Sequence, residues 1–148
     1  MAETALHREL IHNMYHWVSR NYPEYKIIID LPLRPGDDVP PQIGKHRPDL
    51  LAEDKKGCSA IIGEAKNGKY LSRRHTKVQI FDFLEWLSHK DFGMFVLSIP
   101  HAFLDEGFYL LWLLWRESGY NKLTISLITE YECWLSMFKN GDNKWHLH

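Results

Sequence analysis

The chain has 148 residues, enough for one domain that buries its own core without staples. Its 45% hydrophobic and 25% charged residues exclude a disordered chain, and a formal net charge of -1 excludes a protein that coats nucleic acid through bulk charge alone. Two cysteines, Cys58 and Cys133, support neither a disulfide framework nor a cysteine metal site. The longest apolar run, residues 108–115, falls well short of the roughly 20 residues that cross a bilayer, so no membrane partner is expected. The opening residues lack the basic and apolar regions of a secretory signal, and a cytoplasmic location is the expectation.

Taken in chain order, Leu6, Leu10, Met14, Trp17 and Val18 recur at helical spacing and predict a first helix over residues 6–18, stopped shortly afterwards by Pro23. Residues 25–33 are short and β-branched and read as a strand, whereas 34–44, with three prolines and two glycines, read as a loop. Two further strands, 47–53 and 59–66, flank the turn signal Asp54-Lys55-Lys56-Gly57 and predict a hairpin. A helix over about 71–89 follows, with Val78, Phe81, Phe83, Leu84 and Leu87 on a broad apolar face. Residues 93–99 predict a buried strand ended by Pro100, 103–118 a third helix closed by Gly119, and 123–129 another strand. The aromatic-rich tail carries no clear period. The order is helix, three strands, helix, strand, helix, strand. It predicts a single α/β domain over 1–148 with a central mixed sheet flanked by helices.

Chemistry concentrates in Arg47-Pro48-Asp49 and, fifteen positions later, Glu64-Ala65-Lys66. Alternate residues of a strand share a face, so Glu64 and Lys66 point the same way. If the hairpin loop is the four residues 55–58, residue 54 pairs with 59 and Asp49 stands directly opposite Glu64. Two carboxylates so placed repel each other. A divalent cation between them removes the penalty, and hard oxygen ligands suit Mg²⁺ or Mn²⁺. A metal so held serves phosphodiester hydrolysis, with Lys66 orienting the attacking water or neutralising charge on the phosphate. The competing reading of the same residues is a turn aspartate and a solvated Glu–Lys ion pair on an edge strand.

Pro48-Asp49 followed by Gly63-Glu64-Ala65-Lys66 at the end of a hairpin strand, with a helix before and a helix and strand after, resembles the PD-(D/E)XK nuclease superfamily, also called restriction-endonuclease-like. The resemblance covers roughly residues 6–129. It implies Mg²⁺-dependent cleavage of DNA, less often RNA, and use of the backbone carbonyl of Ala65 as a further metal ligand. It also implies an acidic residue on the first helix, a place that Glu9 matches. Gln79 matches half of a glutamine–tyrosine pair found in exonuclease-like branches, but Phe83 stands where the tyrosine would be.

Lys69, Arg73, Arg74 and Lys77 lie in an acid-free stretch between the catalytic strand and the second helix, placed to follow a phosphate backbone into the site. His12 and His16 stand four apart but lack the intervening glutamate of a metalloprotease helix. The alternative to a nuclease is a catalytically silent module that binds nucleic acid or a partner protein. A nuclease subunit is a third reading, with target choice supplied by a homodimer or partner through the helix bearing Trp112 and Trp115.

Overall fold

The computed structural model describes residues 4–31, 34–119, 123–131, 133–139 and 145–147. Helix α1 (Ala5–Asn21) opens on Thr4, whose hydroxyl accepts the His7 N–H at 3.1 Å and satisfies one of the free donors of the first turn. Strands β1 (Lys26–Ile29), β2 (Leu50–Glu53) and β3 (Ser59–Ala65) follow. Then come α2 (Arg74–Ser88), β4 (Phe92–Ser98), a 3-10 turn at His101–Phe103, α3 (Leu104–Ser118), β5 (Leu123–Ile128), β6 (Cys133–Lys139) and β7 (Trp145–Leu147). All seven strands form one sheet in the order β1-β2-β3-β4-β5-β6-β7. The β3–β4 and β4–β5 pairs are parallel, and the remaining four are antiparallel.

This is the expected α/β architecture with a mixed sheet, and the hairpin has the expected register. Leu50 pairs with Gly63 and Glu53 with Ala60, and the Asp54 N–H donates to the Ser59 carbonyl at 3.2 Å. Gly57 takes the left-handed φ of 70° that closes the tight loop, a conformation a side chain would oppose. The first strand is shorter than expected: its pairing ends at Ile29 with Leu50, followed by one hydrogen bond from the Asp30 N–H to the Asp49 carbonyl. Residues 32 and 33, included in that expectation, lie outside the described residues. Helix α2 starts at Arg74 rather than 71. Gly68, at φ 99°, turns the chain first, and the Thr76 hydroxyl holds the Tyr70 carbonyl at 2.7 Å, outside the helix ladder.

Helices cover both faces of the sheet. Met14 and Val18 of α1 pack on Leu50, Ala52, Ile61, Met94 and Val96. On the opposite face Ile80, Phe83, Leu84 and Leu87 of α2, with Leu110, Leu111 and Leu114 of α3, cover Ala60, Ile62, Phe95, Leu97, Ile125 and Leu127. The strict alternation of Phe95, Val96 and Leu97 between the two cores is the period-two geometry of a strand buried on both sides. The parallel strands end at one rim, where Ala65, Ser98 and Ile128 stand in register. In open α/β sheets that carboxyl-end rim is where ligands bind.

Candidate active site

Asp49 enters at the rim just before β2, and Glu64 lies one residue from the end of β3, directly across the ladder as β2–β3 pairing continues. The two are cross-linked through the main chain. The Asp49 N–H donates to Glu64 Oε1 at 3.0 Å, and the Ala65 N–H donates to Asp49 Oδ2 at 2.8 Å. Lys66 follows on the Glu64 face, with its Nζ 3.7 Å from Glu64 Oε2. Gln79, on the second turn of α2, ties them together: its Oε1 accepts from Lys66 Nζ at 2.9 Å and its Nε2 donates to Glu64 Oε2 at 3.2 Å. Among the candidates on these elements, Asp49, Glu64, Ala65, Lys66 and Gln79 therefore converge.

Glu64 is 2% exposed. Burial raises its carboxyl well above the ordinary value of 4.5, the facing Asp49 raises it further, and Lys66 with the Asp49 N–H oppose the shift. A buried carboxylate beside a second one is costly to ionise, and either a proton kept on Glu64 or a cation between the two offsets that cost. The donor set fits a hard divalent ion: two carboxylates and the main chain at Ala65. Among the described residues no three His, Cys, Asp or Glu side chains converge closely enough to hold a metal by themselves. An ion here would complete its shell with main-chain oxygen and water, as Mg²⁺ commonly does.

Glu9 does not join this group. It is exposed on α1, whose buried residues are Leu10, Ile11, Met14 and Val18. At 100° per residue that stripe centres on the position of His7, and Glu9 lies about 160° from it, on the far side of the helix. Leu6, which suggested a nearer face, is 40% exposed. The residue that α1 delivers is His7, with its Nε2 3.4 Å from Asp49 Oδ1. The signal that could have found it is the helical phase of Ile11 and Met14.

Of the basic residues, Lys69, Arg73 and Arg74 are exposed, and the Arg73 guanidinium lies 4.0 Å from the Tyr70 ring centroid. Lys77 is half-buried and lines a cavity with Leu71, Glu106, Tyr109 and Leu113 between the start of α2 and α3. His75 turns instead toward the chain leading to Asp49. Its ring centroid is 5.3 Å from that of His46, whose Nε2 lies 3.5 Å from Asp82 Oδ2. His12 and His16 are exposed on α1 and belong to no metal cluster among the described residues.

Fold and site together define an α/β domain with two opposed carboxylates and a lysine at the carboxyl rim of a mixed sheet. A solved structure, that of Pyrococcus furiosus SfsA in complex with Ca²⁺, is similar to this chain with a TM-score of 0.48 and 13% identity, covering 95% of this chain. The chain spans 62% of the length of that protein. No protein-family model matches the chain, and no curated protein matches it.

Proposed function

We propose that this domain is a metal-dependent nuclease that hydrolyses phosphodiester bonds in DNA. The observation that carries the reading is the Asp49–Glu64 pair, two carboxylates facing each other at the rim with a lysine on the same face. Asp49, Glu64 and the Ala65 carbonyl would hold Mg²⁺ or Mn²⁺. When bound, such an ion polarises the phosphoryl oxygen and acidifies a water. Lys66 contributes a positive charge beside the reacting phosphate, and Gln79 keeps its Nζ from collapsing onto Glu64. His7 faces the other oxygen of Asp49 and orients it. The exposed Lys69, Arg73 and Arg74 supply the local cationic surface that a chain of near-zero net charge needs for a phosphate backbone.

One observation favours a second reading. All four oxygens of Asp49 and Glu64 already face protein partners: His7, the Ala65 N–H, the Asp49 N–H and Gln79. A network satisfied in this way also serves a domain that binds nucleic acid or a partner protein without cutting.

The deciding experiment compares wild type with Asp49→Ala, Glu64→Ala and Lys66→Ala on DNA and RNA, with Mg²⁺, Mn²⁺ or EDTA. The nuclease reading expects cleavage that EDTA stops and that each variant abolishes. It also expects metal affinity to fall in the first two variants and to persist in Lys66→Ala. Wild-type protein that leaves every substrate intact in both metals sinks it.

A further inference from the structure

A second cluster occupies the same rim, two strands away from Lys66. The Lys66 N–H donates to the Ser98 carbonyl and the Ile99 N–H to the Ile128 carbonyl, so the ends of β3, β4 and β5 stand side by side. With strands spaced about 4.8 Å apart, the backbone after β5 lies roughly 10 Å from Lys66. There, Tyr131 is 72% exposed and Trp134 40% exposed. Both rings pack on His101, each with its centroid 5.0 Å from the imidazole, Tyr131 at 77° and Trp134 at 45°. The His101 N–H donates to the Glu130 carboxylate, and the Thr129 hydroxyl accepts both the Trp134 indole N–H at 2.7 Å and the Tyr131 N–H at 3.3 Å. The cluster is thus built into the main chain of the rim.

The rings lie on the same side of the sheet as the carboxylates. Glu64 is in register with Leu97, and Leu97 with Leu127, and both leucines face α2 and α3. Phe103 and Leu104, which follow His101, pack on that same core, so the two rings seated on His101 stand toward it. The ground between is closed: Gly68, in the basic loop after Lys66, sits so tightly under the Phe103 ring that a Cβ there would lie 2.2 Å from it. The 3-10 turn that carries His101 therefore also touches the loop that follows Lys66.

We propose that Tyr131, backed by His101 and Trp134, is a stacking platform for an unpaired nucleobase, so that the polynucleotide engaged at the rim is single-stranded or frayed rather than a continuous duplex. Aromatic faces hold bases of any sequence, whereas those of an intact duplex are already stacked on their neighbours. A cross-ring contact at 77° with high exposure leaves a tyrosine face open for a third ring. Bases carry no charge, which suits a cluster that includes Glu130, and the phosphates between are left to Lys69, Arg73 and Arg74. The identity of the substrate as a polynucleotide rests on the function proposed above.

The test measures anisotropy of a fluorescein-labelled oligothymidylate and of a blunt duplex in EDTA, where no cutting interferes. Tyr131→Ala should weaken oligothymidylate binding roughly fivefold to a hundredfold. Duplex binding should change less than about twofold, and Tyr131→Phe should bind as wild type does. No loss on the single strand, an equal loss on both ligands, or wild type that binds neither overturns the platform. Metal-dependent cutting is scored separately. Tyr131-dependent strand binding without cutting would leave the platform standing and remove the nuclease, and cutting with unaltered binding would do the reverse.

Discussion

The backbone N–H of Asp49 donates to the carboxylate of Glu64 at 3.0 Å, so the residue that raises the Glu64 pKa by its charge also lowers it by its main chain. Burial and charge outweigh the hydrogen bond, and the carboxyl is held well above its ordinary value. In metal-free protein the native state then binds this proton more tightly than the unfolded chain does. Stability from Glu64 is fully present below 4.5 and is lost as pH rises through the raised native value. Denaturant titrations across that window should show wild type weakening and Glu64→Gln staying flat, and Mn²⁺ should restore wild type at the upper end.

Gln79 touches both Glu64 and Lys66 through opposite ends of its amide. Gln79→Ala should cost roughly 1–3 kcal/mol of stability, since it removes a partner from a buried carboxylate. Cleavage should fall about 10- to 100-fold while substrate binding holds. Gln79→Glu should be worse in metal-free protein, because it keeps an acceptor for Lys66 but sets a third carboxylate beside Glu64.

His7 and Glu9 separate two views of α1. His7→Ala should lower metal-dependent cleavage about tenfold by freeing one oxygen of Asp49. Glu9→Ala, on the exposed face, should leave both rate and melting temperature unchanged. The reverse result in a paired kinetic comparison would restore Glu9 to the site.

Arg73 and Arg74 are exposed at the start of α2. Replacing both with alanine should reduce the salt dependence of oligothymidylate binding by roughly 0.7 for each phosphate no longer neutralised. Titrations at several salt concentrations give the slope. An unchanged slope places the phosphate-binding surface elsewhere.

The Asp49–Glu64 pairing was legible in the chain because a four-residue hairpin loop leaves one register, and register decides which residues face each other. Lys66 followed from alternation alone. Glu9 misled because a helical phase drawn from Leu6 and Trp17 turns the face away from its true centre, and neither is fully buried in α1. The Gln79 bridge depends on how α2 docks on the sheet, which only tertiary packing decides. Strands β6 and β7 were not legible: tryptophan, leucine, methionine and phenylalanine succeed one another in residues 133–139 with little polar alternation to mark a period. The aromatic rim was hidden for a related reason, since it joins His101 to Tyr131 and Trp134 across the β4–α3–β5 crossover.

The sheet places its strands in space in the same order as along the chain. During folding, each strand can therefore add to the one made just before it, without waiting for a distant segment. The whole carboxylate–lysine–glutamine group lies within residues 49–79, and its first two members close across a hairpin, an event of microseconds in isolated chains. The centre is thus written as local contacts. α1 lies outside that stretch, so the contact of His7 with Asp49 requires the helix to dock on the sheet, whereas the acidic pair needs only the hairpin.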